Sequence, residues 1–181
     1  RLLGEVGLED MRARLEFAES VQRRTIDERR DLWAKTRRQI KASPLYGGYS
    51  LSPQIGLVPL GPDIGTGLHE FAHLQSGSVP VRDKRGQLQV TEETGIVLVL
   101  LPGGSFTMGA RVPTEELPLG APNVDPETKK SEGPPNEVAL EPFFMGKYEV
   151  TQGQWKRFTK ENPAAYAPGR TIGGNVHDAR H

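Results

Sequence analysis

Gly95-Ile96-Val97-Leu98-Val99-Leu100-Leu101-Pro102-Gly103-Gly104-Ser105-Phe106-Thr107-Met108-Gly109 is the stretch whose reading decides the fold. Its first seven residues are the most apolar run in the chain, and a run of that length between breakers suits a buried strand. Pro102-Gly103-Gly104 can reverse the chain, because proline fixes φ and glycine accepts positive φ. Strand alternation places Ile96, Leu98 and Leu100 on one face. They are predicted to share a core with Phe106 and Met108, and with Val138, Leu140 and Phe144 where the chain returns. Beyond them Thr151 reads as a helix N-cap with Gln154 at the capping-box position. Trp155 and Phe158 fall on one face of that short helix and are expected to pack over the core.

Leu101–Gly109, then Glu132-Gly133-Pro134-Pro135-Asn136-Glu137-Val138, then Phe144-Met145-Gly146-Lys147-Tyr148-Glu149-Val150-Thr151 with Trp155 and Phe158, occur in that order. Together they resemble the N-terminal half of the formylglycine-generating enzyme family, also called sulfatase-modifying factor. The resemblance covers roughly residues 96–168. It implies an α+β, C-type-lectin-like fold with little regular secondary structure, here an incomplete module preceded by a long helix. Complete members oxidise a cysteine in a protein or peptide substrate to formylglycine, with oxygen and with copper bound by two active-site cysteines. Copper and calcium are the cofactors expected of a complete catalytic member.

This chain contains no cysteine. No catalytic, cofactor-binding or metal-binding residue is therefore carried over from the family, and these residues alone are expected to be inactive. The matched positions are assigned structural roles: Gly103, Gly104 and Gly109 in turns, Glu149 and Thr151 at a strand-to-helix junction. The alternative is a non-catalytic, lectin-like module that binds a ligand or partner, joined to a signalling domain such as a protein kinase.

Composition supports a chain of several parts. Lys and Arg together number 23, as do Asp and Glu, so net charge points to neither nucleic acid nor an anionic membrane. All 15 prolines lie from Pro44 onward. Residues 1–43 are read as a helical linker or coiled-coil segment, 44–95 as a Pro/Gly-rich lead-in with short strands and a hairpin, and 96–181 as the first part of the module. No apolar run reaches membrane-spanning length and no leader is visible, so a cytoplasmic setting is favoured. The start at Arg1 and the polar end at His181 suggest an internal fragment whose module continues further.

In the first 43 residues, Leu8, Met11, Leu15 and Ala18 keep a heptad-like register that Gln22, Thr25 and Arg29 then spoil, while Ile26, Trp33 and Ile40 keep a seven-residue spacing on another. A solvated connector helix is favoured over a docking coil. The Arg pairs are interleaved with acids and lack clustered aromatics, which argues against a nucleic-acid surface.

His69-Glu70-Phe71-Ala72-His73 spells the H-E-x-x-H of zinc proteases. On a helix the two histidines would share a face and Glu70 would polarise a metal-bound water, with Glu92 or Glu93 as a third ligand. Gly65, Gly67 and Gly77 limit any such helix to about two turns, so His69 and His73 stand as a remote zinc alternative. The same run also resembles a segment that precedes the sulfatase-modifying module in bacterial multidomain proteins.

Ile55–Leu60 suits an edge strand, since Pro59 cannot donate a ladder bond. Val81–Val90 reads as a hairpin turning at Asp83–Gly86. Glu92 and Glu93 would point to opposite faces of a strand, which rules them out as an acid–base pair. Residues 110–136 read as a surface excursion without a core. Within it Asn123, Asp125 and Glu127 alternate like calcium ligands, but without the glycine and terminal glutamate of an EF-hand loop. His177 and His181 are four apart in a tail with no helical pattern.

Overall fold

The computed structural model describes residues 5–159, 161, 162, 164, 171, 172, 175 and 176. The chain divides into two compact units, Arg1–Leu100 with Phe144–His181, and Leu101–Phe143. In chain order the elements are α1 (Glu5–Thr25), α2 (Arg30–Ala42), β1 (Leu57–Pro62), β2 (His69–His73), β3 (Val97–Leu101), β4 (Gly104–Met108), β5 (Asn136–Leu140), β6 (Phe143–Gly146), α3 (Gln152–Thr159), β7 (Thr171–Ile172) and β8 (Asn175–Val176). The fold is α+β, with a long N-terminal helical segment and small antiparallel strand pairings.

The helical segment breaks at Ile26, where a 3-10 turn over Asp27–Arg29 separates α1 from α2. Of the two apolar registers, the Ile26–Trp33–Ile40 spacing is the one the fold uses. Trp33 and Ile40 are fully buried, and Ile26 packs against the same core. Leu8, Met11 and Leu15 of α1 remain exposed. Trp33 Nε1 donates to the Thr25 carbonyl at 2.7 Å, and Thr25 Oγ1 accepts from the Gly56 backbone N–H at 3.1 Å. The corner between the helices is thereby tied to the approach of β1.

The principal sheet has the order β1-β2-β3-β6. β1 is the edge strand expected around Pro59, and a bulge between Pro59 and Gly61 interrupts its pairing with β2. β2 pairs antiparallel with β3, matching Phe71 to Leu98 and Ala72 to Val97. Directly opposed residues of antiparallel strands share a face. Phe71, Leu98 and Leu100 therefore face the core formed by Trp33, Ile40, Tyr46, Leu51 and Leu57. Phe71 stacks on Trp33 with ring centroids 5.7 Å apart and meets the edge of Phe144 at 5.1 Å. Sheet and core thus cross the compositional boundaries at residues 43 and 95.

Tyr46 fastens the sheet from the end of a 3-10 turn. Its buried hydroxyl donates to the Leu100 carbonyl and accepts from the His69 N–H, both at 2.9 Å, so one side chain bridges β2 and β3. The Asp83–Gly86 reversal is present, with the Gly86 N–H donating to the Asp83 carbonyl at 3.0 Å. The arms on either side form one bridge, Arg82 opposite Leu88, closed by the Asp83 N–H donating to the Gln87 carbonyl and the Gln89 N–H to the Val81 carbonyl, each at 2.8 Å.

The core placed on the 95–109 stretch is correct at Leu98, Leu100 and Phe144 and wrong at several other positions. Phe106 (47 %), Met108 (56 %), Leu140 (42 %) and Trp155 (48 %) are exposed. Phe106 and Met108 lie on β4, which pairs only with β5 in the unit Leu101–Phe143. No second layer covers that two-stranded ladder among the described residues, and a lone pair of strands cannot bury an apolar face.

The capping box at α3 is present: the Thr151 N–H donates to Gln154 Oε1 and the Gln154 N–H to Thr151 Oγ1, each at 3.1 Å. The inward face of α3 is polar rather than aromatic. Gln154 is buried and donates to the Thr94 carbonyl at 3.0 Å, and Arg157 donates to the Ser76 carbonyl at 2.9 Å. That arrangement turns Trp155 outward. The side chain of Phe158, together with His177 and His181, lies outside the described residues.

Candidate functional site

The residues with the most concentrated chemistry sit on β2, though not as the sequence motif suggests. His69-Glu70-Phe71-Ala72-His73 is a five-residue strand between glycines. Strand alternation sends His69, Phe71 and His73 to one face and Glu70 and Ala72 to the other. Four residues of strand span roughly 13 Å at about 3.3 Å per residue, whereas ligands of one zinc ion lie about 2 Å from it. The helical premise of the zinc reading is therefore corrected: the two histidines do not form an i, i+4 pair on a helix. Burial pushes the pKa of both His69 and His73 down, which favours their neutral forms. His69 is 2 % exposed, and its Nδ1 is buried without a hydrogen-bond partner. Glu92 and Glu93 are exposed, the latter 3.8 Å from Arg157.

Glu70 is the centre of the site. Its side chain is fully buried, one oxygen accepting from Arg82 Nη2 at 2.7 Å and the other from Lys147 Nζ. Lys147 also donates to Asp63 Oδ2 at 3.1 Å. Two carboxylates and two cations make the cluster neutral. A lone carboxylate in this position would lose several kcal/mol of hydration, which paired cations can offset only with good geometry.

Each member is held by local chemistry. Asp63 follows β1, and its Oδ1 accepts from the N–H groups of Gly65 and Thr66 and from the Thr66 hydroxyl, closing the turn into β2. Arg82 leaves its hairpin arm and also donates to the carbonyls of Leu60 and Gly86 at 3.1 and 2.7 Å. Lys147 follows β6, its N–H donating to the Val97 carbonyl at 2.8 Å. The hydrogen bond from Lys147 holds the Asp63 carboxyl well below the usual carboxylate range, with help from the Thr66 N–H. Burial works against the Lys147 ammonium, yet its hydrogen bonds to Glu70 and Asp63 outweigh that and raise its pKa.

Both Glu70 oxygens are occupied by cations, so the group is not a free general base. The cluster positions strands. The sequence pattern assigns Glu70 only the water-polarising role of a remote zinc motif, and it gives the side chains of Asp63, Arg82 and Lys147 no role at the site. A five-residue run between Gly67 and Gly77 has the length of a strand, and that signal was available.

The donors needed for the expected cofactors do not fit these residues. Copper held by two thiolates has no ligand here, because the chain lacks cysteine. In the acidic loop, the Asn123 amide nitrogen donates to the carbonyls of Thr107 and Gly109, and Asp125 Oδ1 accepts from the Glu127 N–H. Among the described residues no three His, Cys, Asp or Glu side chains are grouped to hold a metal ion. No helix among them is long and apolar enough to cross a membrane.

Comparison with known families matches residues 84–179 to the family described as the sulfatase-modifying factor enzyme 1-like domain. No curated protein and no solved structure matches the chain. The matched segment includes Lys147 and Arg82's hairpin from Lys84 onward, while Glu70 and Asp63 lie upstream of it.

Proposed function

The chain belongs to the sulfatase-modifying factor family, and from that premise we propose that these residues are the scaffold of a protein whose complete form oxidises a target cysteine, in a protein or peptide substrate, to formylglycine. The observation that supports this reading is the use to which the family's motif residues are put. Lys147 is bound to Glu70 and Asp63. Thr151 is spent on a helix cap. Gly103 lies where a Cβ would meet the Leu140 carbonyl oxygen at 2.5 Å. These are framing roles, and a lectin-like arrangement of the whole module belongs to the same proposal. The thiolates for copper would have to come from residues other than these 181.

The cysteine-free sequence also favours a second reading, in which the module keeps the frame without the chemistry and binds a ligand or partner beside a signalling domain such as a protein kinase. One experiment separates the two. The 181-residue chain and the product of its full parent reading frame are each incubated with copper, oxygen and a cysteine-containing sulfatase peptide. Mass spectrometry is expected to show the peptide unchanged by the former and converted to the aldehyde by the latter. Conversion by the 181 residues alone overturns the scaffold assignment. A parent product that lacks a cysteine pair and leaves the peptide unchanged replaces oxidation with the binding reading.

A further inference from the structure

The unit Leu101–Phe143 is acidic: it carries seven Asp and Glu residues against three basic ones. Those three, Arg111, Lys129 and Lys130, all line a single cleft of about 560 Å³. A unit rich in carboxylates could disperse its few cations among them. Instead none of the three has an ion-pair partner among the described residues. Like charges gathered in one concavity repel each other and raise the local potential, which favours a bound anion.

The cleft is also built rather than incidental. Arg111 is fixed by its own backbone, its N–H donating to the Asn123 carbonyl at 3.0 Å and its carbonyl accepting from the Asp125 N–H at 3.1 Å. The Ala110 N–H donates to the Glu132 carbonyl at 3.0 Å, joining the two walls. Gly109 allows that approach. Its φ is +103°, and a Cβ there would lie 2.5 Å from the Glu132 carbonyl oxygen. Thr128 Oγ1, also on the cleft, is buried without a hydrogen-bond partner. The remaining lining is apolar, chiefly Val112, Pro134 and Pro135. The volume falls within the range of about 300–1,000 Å³ common for small-molecule sites.

We propose that this cleft binds a small organic anion. Its charged group is held by Arg111, Lys129 and Lys130, and its apolar body lies against Val112, Pro134 and Pro135. Arginine suits the anionic end because its planar fork can donate two parallel bonds to one oxyanion. The site needs no thiol and no residue outside 101–143, so it stands apart from cysteine oxidation and from the success of either reading above.

The test is calorimetric titration of the 181-residue chain with phenyl phosphate, with inorganic phosphate and phenol as its two halves. Phenyl phosphate is expected to bind more tightly than either half, and to weaken as salt is added. Arg111→Gln and the pair Lys129→Gln with Lys130→Gln are each expected to lower its affinity about tenfold, the scale of one charged hydrogen bond. Lys84→Gln removes an exposed cation outside the unit and is expected to change nothing. All these residues are exposed, and unchanged circular dichroism checks that the variants fold. Absence of phenyl phosphate binding overturns the proposal. So does inorganic phosphate binding equally well, or Lys84→Gln weakening the ligand as much as Arg111→Gln.

Discussion

Lys147 and Glu70, 77 positions apart in the chain, form an ion pair in which the glutamate side chain is wholly buried and the lysine side chain three-quarters covered. The lysine belongs to the family-matched segment and the glutamate lies before it. The strand read as a metal motif therefore serves as the anchor of a family motif. With Arg82 on its second oxygen, Glu70 gathers β2, the hairpin arm and the end of β6 around one charge.

The strand geometry leads to a prediction about metal. His69 and His73 are expected not to form a zinc site, because on β2 they are spread along one face and not stacked on a helix. Elemental analysis after dialysis should find well under one zinc per chain. Stoichiometric zinc that disappears in His69→Ala would restore the protease reading.

The core assignment is tested by a pair of substitutions. Phe71→Ala removes a fully buried ring that contacts both Trp33 and Phe144, and is expected to cost about 3–5 kcal/mol. Phe106→Ala changes an exposed ring and is expected to cost under about 1 kcal/mol. Urea unfolding measures both. Equal losses would mean that the β4 face is covered in solution.

These two phenylalanines also mark what was legible in the sequence. The Thr151–Gln154 capping box and the Pro59 edge strand could be read because each depends on residues a few positions apart. The β3 run was legible from its apolarity. The faces that end up covered were not, because coverage depends on distant partners. Nothing local says that Trp33 will meet Phe71, or that Gln154 and Arg157 will take the inward side of α3 and turn Trp155 out. The two registers in residues 1–43 show the same limit: both were visible, and only the packing on β2 selects Ile26–Trp33–Ile40. The charge cluster was hidden most completely, since its members are far apart and each looks like an ordinary surface residue alone.

Acid should weaken the fold in two stages. Burial holds His69 and His73 below their ordinary pKa of 6.5, so the unfolded chain takes up protons first as pH falls. Stability is therefore full above about 6.5 and declines below it, because the unfolded state binds more protons there. Asp63 adds a second decline. Its folded carboxyl is held below the ordinary 3.8, so its contribution is present above that value and is lost as pH falls through it toward the folded pKa. Unfolding midpoints measured from neutral to strongly acid pH check the order. A midpoint that rises between about pH 6.5 and 5 would contradict the burial of the histidines.

The most direct test of the account is a double-mutant cycle on the Glu70–Lys147 pair, with Glu70→Gln, Lys147→Met and the combined variant followed by urea unfolding. Either single change unbalances the cluster by one charge, although Arg82 still pairs with Glu70 and Asp63 with Lys147, so each is expected to cost at most roughly 3–5 kcal/mol. The combined variant should lose less than the sum by about 1–3 kcal/mol, the coupling of residues in contact. Strict additivity, within about 0.5 kcal/mol, would mean that the lysine of the family motif is not held by the upstream strand, and would contradict the account at its centre.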